Sequence, residues 1–506
     1  MLDKEQRVVY VTDNDGHISH IDVTDKSEPQ MLQRLRVLDV HQKMTSLEFI
    51  TGDLSLLIGD SEGRISQWFL VRDENNNNVL TKIREFHEQK APIIGIASEE
   101  RRKGFVAVDS AGQVGVYHST AHRTLILESI GEQRHIAVSP RADTLLAEDK
   151  SGNMQVWGLH NEHPEVSMSA LWGKVWYESY EKPDYVWQSS SASSDFEPKF
   201  SLIPLAFGTL KAAFYAMLIA VPLSILGAIY TAYFMAPRMR SLVKPTIEIM
   251  AALPTVILGF LAGLWLAPVM EDNMPGVFTL LFLMPIGVLL FAYAWRYLPW
   301  ARRISEGWQA ALLIPVVLLI AWVSFVLSHP LEVWLFGGDM PHWLTTELGI
   351  AFDQRNAIVV GIAMGLAVIP TIFSMAEDAV FSVPKHLTMG SLALGATYWQ
   401  TMVRVVLLTA SPGIFSAIMI GMGRAVGETM IVLMATGNTP IMDFNIFQGL
   451  RTLSANIAVE MPESEVASTH YRILFLSALV LFIFTFFLNT LAEVVRHRLR
   501  RKYSSL

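Results

Sequence analysis

No cysteine occurs among the 506 residues, which excludes disulfides, thiolate zinc sites and iron–sulfur clusters. Charge is scarce as well. Asp, Glu, Lys and Arg make up 17% of the chain, where a soluble protein carries about a quarter. The 14 histidines include no H-E-x-x-H spacing, so no metal site is expected. A formal charge of −8 lacks the basic excess of a protein that tracks nucleic-acid phosphates, and nucleic acid is not expected as a partner. Residues 1–7 contain no apolar stretch of the kind a signal peptide needs.

What is present divides near residue 200. Before it the sequence is rich in Asp, Glu, Asn and Ser; after it long apolar blocks take over and lift the mean hydropathy to +0.35. The expected organisation is a β-propeller-like repeat domain over 1–168, an interfacial helix and linker over 169–200, and an all-α polytopic membrane domain over 201–506. The fold class is therefore multidomain, all-β followed by all-α.

The first part repeats itself. An apolar run, D-x-x-G, then alternating apolar residues occur around Asp13 and Gly16, Asp60 and Gly63, Asp109 and Gly112, and Asp149 and Gly152. Successive glycines lie 47, 49 and 40 residues apart. Period-two alternation on both sides of a tight turn reads as a β-hairpin, with glycine supplying the positive φ. Repeats of about 40–50 residues built of short strands are propeller blades. The copy that begins at His135 resembles a WD-repeat blade. Four copies are few for a ring of 4–8 blades, and the set is expected to be incomplete; an irregular β-sandwich is the alternative. Trp172, Trp176, Tyr177, Tyr180 and Trp187 interleave with charges, which suits a helix lying at a membrane interface. Residues 189–195 read as a flexible linker.

A span needs about 20 apolar residues, and seven are expected: 206–235, 247–269, 276–297, 309–329, 356–376, 413–436 and 472–493. Buried core helices of a soluble protein fail as an explanation on length and number. Pro222, Pro254 and Pro370 predict kinks. Gly259-x-x-x-Gly263, Gly361-x-x-x-Gly365 and Gly423-x-x-x-Gly427 predict close helix approach. Basic loops (Arg238, Arg240, Lys244; Arg296, Arg302, Arg303; Arg496, Arg498, Arg500, Arg501, Lys502) alternate with acidic ones (Glu271, Asp272; Asp339, Glu347, Asp353; Glu460, Glu463, Glu465). The positive-inside rule then puts the C-terminus in the cytoplasm and the repeat domain outside. Export of that domain calls for a signal-anchor helix ahead of it, so the chain is expected to be a C-terminal piece of a longer protein. A miscounted span would instead leave the repeats in the cytoplasm.

Two charged residues, Arg424 and Glu428, fall inside an apolar span. Each costs about 2.5–3.5 kcal/mol to insert, and such residues usually line a substrate path. On a continuous helix, residues four apart lie about 5–6 Å apart and can neutralise each other. The arginine fork is suited to an oxyanion. A purely structural pair, or an arginine that snorkels to water, remains open. No complete phosphate loop is present: GSLALGAT, residues 390–397, lacks the lysine of that motif. No nucleophile–base pair stands out either, so the chain is not expected to be an enzyme by itself.

The stretch LALGATYWQTMVRVVL resembles the coupling loop of ABC importer permeases, with Gly395 and Ala396 at the glycine turn and Val405 and Leu407 at the apolar end. It departs from that pattern at Met389, which stands for a glutamate, at Gly390 and Ser391, which stand for two alanines, and at Leu408, which stands for a proline. An ordinary amphipathic loop helix is the alternative. GRAVGETM followed by ATGNT, with GTLKAAFYAMLIAVPLSILGAIYTAYF and IEIMAALPTVILGFLAGLWLAP upstream, is similar to the phosphate-specific ABC permeases of the PstC type over most of residues 205–495. The resemblance implies the permease subunit of an ATP-driven phosphate importer in a bacterial inner membrane. It implies a second related permease, a cytoplasmic ATPase dimer that carries ATP and magnesium, a periplasmic phosphate-binding protein, and a role for Arg424 and Glu428 in phosphate passage. Six spans are the rule in that family; this chain has equivalents of the second to the sixth and an added hairpin at 276–329. A permease for sulfate or molybdate, or a non-transporting membrane sensor, are the rival expectations.

Overall fold

The computed structural model describes residues 1–13, 15–191, 196–295, 297 and 309–503. It divides into two compact units, residues 1–203 with 467–470, and residues 204–466 with 471–506. Arg296, Arg302 and Arg303, which carry one of the basic loops, lie outside the described residues, as do 192–195 of the expected linker.

Among the described residues the first unit holds four antiparallel sheets of three or four strands, each formed by strands consecutive in the chain, and one two-stranded sheet. They are β1 (Val8–Thr12), β2 (His17–Asp22) and β3 (Gln30–Arg36); β4 (Met44–Phe49), β5 (Ser55–Asp60), β6 (Ile65–Arg72) and β7 (Asn78–Phe86); β8 (Ile93–Ser98), β9 (Gly104–Asp109), β10 (Gln113–His118) and β11 (Arg123–Ser129); and β12 (Gln133–Val138), β13 (Thr144–Asp149) and β14 (Met154–Gly158). The D-x-x-G repeats are the turns β1–β2, β5–β6, β9–β10 and β13–β14. One mechanism builds all four. The aspartate Oδ1 accepts the amides two and four residues on, at 3.0 and 2.9 Å for Asp13, 2.8 and 2.9 Å for Asp60, 3.0 and 2.8 Å for Asp109, and 2.8 and 2.9 Å for Asp149. The glycine takes φ between 78° and 84°, a region open to it because it lacks Cβ.

Neighbouring sheets pack face to face. Tyr10 and Ile18 of the first sheet meet Leu56, Ile58 and Trp68 of the second. Leu57 and Ile65 of the second meet Phe105, Ala107 and Tyr117 of the third. Val106, Val108, Val114 and Val116 of the third meet Leu145 of the fourth. This is blade-on-blade packing, as the repeat predicts.

The interfacial helix expected over 169–200 is not formed. Helix α1 (Met168–Trp172) has five residues and ends at Gly173. Among the described residues the rest is irregular apart from the two-residue strands β15 (Trp187–Gln188) and β16 (Lys199–Phe200). Its aromatic residues do not share one helix face: Trp176 packs on a blade, Tyr177 on Tyr180, and Trp187 on Phe200. Trp176 lies edge-on to Phe69 with ring centroids 6.2 Å apart, and Tyr177 and Trp187 are buried. Lys103 Nζ lies 2.5 Å from Glu178, and the Thr120 hydroxyl donates to Glu197. The segment belongs to the β unit.

The second unit is helical: α2 (Ile203–Ile229), α3 (Pro237–Met250), α4 (Thr255–Leu261), α5 (Ala267–Asp272), α6 (Met274–Trp295), α7 (Gln309–Val326), α8 (Ser328–Phe336), α9 (Met340–Glu347), α10 (Ala357–Phe381), α11 (Lys385–Ala393), α12 (Tyr398–Thr401), α13 (Leu407–Gly427), α14 (Met430–Ala435), α15 (Leu453–Glu460) and α16 (Thr469–Tyr503). Among the described residues seven helical stretches are long and apolar enough to cross a membrane, and α6 packs against α7 as the expected hairpin. Two boundaries move. The span expected at 247–269 begins at Thr255, because Pro254 caps α4 and residues 247–250 close the polar helix α3. The span expected at 413–436 begins at Tyr398 and stops at Gly427. Pro222 and Pro370 sit inside α2 and α10.

Helices α2 and α10 run side by side in the same direction. Gly361 lies against Tyr215, Gly365 against Ala216 and Ile219, and Ser224 donates to the Ile369 carbonyl at 3.2 Å. Gly259 and Gly263 meet the carbonyls of Met430 and Met434. Gly423 and Gly427 do not play the expected packing role: the first makes an ordinary contact with Asn489, and the second faces open space. The close approaches on α13 fall instead at Gly413 against Ala379 and Gly421 against Ile372.

Candidate functional site

Helix α13 carries Arg424 against the middle of α10. Its Nη1 donates to Thr371 Oγ1 at 2.7 Å. At 1.5 Å per residue, Thr371 lies about 21 Å from the start of α10 and about 15 Å from its end, so the guanidinium sits at mid-span depth. The expected neutralising pair does not form. Glu428 caps α13 in extended conformation, φ −68° and ψ 130°, and its carboxylate turns to the next helix, accepting the Ile431 amide at 3.4 Å. Among the described residues no carboxylate lies within ion-pair distance of Arg424. A helix break at Glu428 therefore leaves a mid-span guanidinium with a neutral partner and free donors.

The chain turns back after that break. Asn438 takes φ 53° and donates to the Leu433 carbonyl at 3.0 Å. Thr436 donates to the Leu450 carbonyl at 2.9 Å, and Ser454 donates to the Glu428 carbonyl at 2.9 Å. The ATGNT segment is thus the hinge of a return loop stitched to α15. Two polar side chains beside this loop were missed in the sequence. Lys211 of α2 is buried with no hydrogen-bond partner for Nζ, and Asp353 and Asp443 are the carboxylates that act on it electrostatically. Both amide atoms of the buried Asn456 are likewise unpartnered. A charge inside the first apolar span was the available signal for Lys211.

A second site projects between α10 and α13. Met389, Gly390 and Ser391 lie on α11, and Gly395 turns the chain with φ 87°. Thr397 and Gln400 then open α12 with a capping box. The Ser391 and Thr401 hydroxyls meet at 2.9 Å and hold α11 to α12. Ala396 donates to the Ser391 carbonyl at 3.2 Å. Val405 belongs to a π-helical turn, Met402–Val406, which joins α12 to Leu407 and α13. Met402 and Val406 anchor this base among Ile229, Val380 and Ala410. The tip is apolar yet exposed at Met389, Leu394, Tyr398 and Trp399, which marks an interaction surface. Beside it Glu377, fully buried, takes both Arg240 at 2.5 Å and Lys244 at 2.9 Å. That network ties α3 to α10.

No H-x-x-x-H spacing was expected either, yet His118 and His122 have it; they fall at a strand end and turn of the β unit. His118 is buried, and burial pushes its imidazole down to about 3. Among the described residues no cluster of three metal-ligating side chains occurs.

The bundle thus combines a cation beside a broken helix with an exposed helix–turn–helix between two apolar helices. Residues 300–505 match the family described as binding-protein-dependent transport system inner membrane component. The chain is 28% identical over 342 residues to the phosphate transport system permease protein PstC of Xylella fastidiosa, covering 67% of this chain and 86% of that one. It is 26% identical over 305 residues to the probable ABC transporter permease protein YqgH of Bacillus subtilis, covering 60% and 74%. The helical half thus matches an inner-membrane transport component and has PstC phosphate permeases among its homologues, and the chain is a multi-pass membrane protein. The β unit aligns with the Cps50 (Swd1) β-propeller domain of Myceliophteria thermophila at 12% identity and TM-score 0.27, covering 32% of this chain and 50% of that one.

Proposed function

We propose that this chain is the permease subunit of an ATP-driven importer of inorganic phosphate and forms half of the translocation path. The observation that carries this reading is the Arg424 guanidinium, midway along α10 with a hydroxyl partner and, among the described residues, no carboxylate in ion-pair range. A half-buried guanidinium suits a transient oxyanion, because its planar fork makes paired charge-assisted hydrogen bonds. The neighbouring break frees Glu428 to change partners during transport and to keep the anion contact weak enough for release.

The exposed tip at Met389, Leu394, Tyr398 and Trp399 supports docking of a separate cytoplasmic ATPase, which supplies the nucleotide and magnesium chemistry. A second permease completes the path, and a periplasmic phosphate-binding protein delivers the anion. In this arrangement the C-terminus is cytoplasmic and the β unit lies outside.

The test is uptake of labelled phosphate by the full complex, wild type against Arg424→Gln, at equal membrane levels. Phosphate-selective uptake that the substitution abolishes supports both the class and the path. Competition by sulfate or molybdate at equal strength would reassign the substrate. Uptake that survives the substitution would remove Arg424 from the path.

A further inference from the structure

Among the described residues of the helical half, the buried side-chain atoms without a hydrogen-bond partner are Lys211 Nζ, Thr439 Oγ1, Gln448 Oε1, Arg451 Nε, both amide atoms of Asn456 and Glu377 Oε2. Glu377 is ion-paired to Lys244 and sits toward the far end of α10. The others belong to the start of α2, the return loop or α15. Buried polar groups in folded proteins are nearly always satisfied, so a gathering of orphans marks a place for water, an ion or a ligand. Lys211 stands out among them. Its side chain is 4% exposed within an apolar span, where an ionisable residue usually serves function.

The surroundings of Lys211 follow from the packing of α2. Gly361 lies against Tyr215, so in these parallel helices Lys211, one turn before Tyr215, is level with Ala357 at the start of α10. Phe207 and Tyr215 share its side of α2, and both hold Phe444. The rings of Phe207 and Phe444 lie 5.0 Å apart, and Tyr215 donates to the Phe444 carbonyl at 2.8 Å. The carboxylates that act on the lysine are Asp443, beside Phe444, and Asp353, ahead of α10. Neither comes within ion-pair distance of it. Asp443 Oδ1 accepts the Asn445 amide and Asp353 Oδ2 the Gly449 amide, both at 2.9 Å, which leaves the second oxygen of each without a partner among the described residues. A Cβ at Gly449 would meet Thr439 Oγ1 at 3.0 Å, so the orphan hydroxyl stands beside the residue that Asp353 holds.

We propose that Lys211, Thr439, Asp353 and Asp443 form a second oxyanion station at the start of α10, and that this station requires its anion to carry a proton. The inference rests on the phosphate-importer reading. The ammonium and the hydroxyl donate to the charged oxygens of the anion, and the spare carboxylate oxygens accept from its O–H. Hydrogen phosphate offers both kinds of group. Sulfate at neutral pH has no O–H and would set its oxygens against the carboxylates. A site built to bond a substrate hydroxyl rejects an analogue that lacks it, because its own polar groups are then left unpaired. The station lies about 21 Å along α10 from Thr371. The anion is therefore selected there and handed on to Arg424, whose fork suits any oxyanion.

Lys211→Cys tests it, since residues 1–506 contain no other thiol. In membrane vesicles carrying the complete importer, modification of that position by methyl methanethiosulfonate is timed with phosphate, with sulfate and with neither. Phosphate at about ten times the half-saturating concentration of the variant leaves about a tenth of the sites empty and should slow the reaction about tenfold; sulfate at the same concentration should not slow it. Alkylation with 2-bromoethylamine, which returns an ammonium to the position, should bring the half-saturating phosphate concentration back toward wild type, and iodoacetamide should not. Independently, Asp353→Asn should let sulfate compete with phosphate uptake at least about tenfold better. No reaction without anion, a rate indifferent to phosphate, equal protection by sulfate, or unchanged competition in Asp353→Asn overturns the proposal. Failure of the importer reading is a different result, the absence of phosphate uptake by the wild-type complex.

Discussion

Arg424 and Thr371 share a 2.7 Å hydrogen bond between α13 and the middle of α10. Arg424 is thereby held by a neutral group midway along α10. Thr371→Val removes that partner while keeping shape. A hydrogen bond to a charged group contributes about 1.5–3 kcal/mol, so the initial rate of phosphate uptake at low substrate should fall at least tenfold. Unchanged uptake would mean that the hydroxyl does not position the guanidinium.

Lys211 is buried without a partner. An unpaired buried charge destabilises a fold, so Lys211→Met should raise the melting temperature in detergent, by about 2–4 °C for each 1 kcal/mol recovered. If the amine contacts the anion near the start of α10, the same substitution raises the half-saturating phosphate concentration and Lys211→Arg restores it. A melting gain with unaltered uptake would make the lysine a bystander.

Glu377 holds Arg240 and Lys244 across α3 and α10. Removing one partner of a buried ionic network costs about 3 kcal/mol. Glu377→Ala should lower the thermal midpoint of the complex well beyond Asp378→Ala, whose carboxylate is exposed and meets only Lys244. Equal midpoints for the two variants would contradict the assigned network.

Gly395 adopts φ 87° with nothing within 4 Å of where a Cβ would stand. The obstacle to substitution is backbone conformation alone, at about 1–2 kcal/mol for a residue bearing Cβ. Gly395→Val should leave membrane levels intact and reduce ATPase co-purification about tenfold, with Gly395→Asn closer to wild type. Retention of the ATPase by both variants would separate the turn from docking.

Burial pushes the Glu197 carboxyl up to about 7, against an ordinary value of 4.5. The folded state then holds a proton that the unfolded state has released. Stability contributed here is greatest at acidic pH, falls as pH rises from about 4.5 to about 7, and is level above that. Limited proteolysis within 181–190 should accelerate across this window in wild type. In Glu197→Gln the rate should be flat; a slope retained by that variant would point to another group.

The sequence alone determined the two-part organisation, the four D-x-x-G hairpins and the seven apolar spans. Each follows from short-range chemistry: an aspartate that caps its own turn, a glycine that accepts positive φ, and enough consecutive apolar residues to form a long helix. Placement of Gly395 at a turn was legible for the same reason. Relationships between segments distant in the chain were decided only in the tertiary structure. Arg424 and Glu428 are four residues apart and read as a pair, yet the break at Gly427 sends their side chains to Thr371 and Ile431. The aromatic residues from Trp172 to Trp187 read as one helix face, yet they pack in separate places, Trp176 on Phe69 and Trp187 on Phe200. Lys211 and Glu377 looked like isolated charges until folding brought α2 against α10 and α3 beneath it. Local pattern fixes which elements form, because propensity and turn chemistry act over a few residues. Which polar groups are left without partners depends on packing, and those groups make the candidate site.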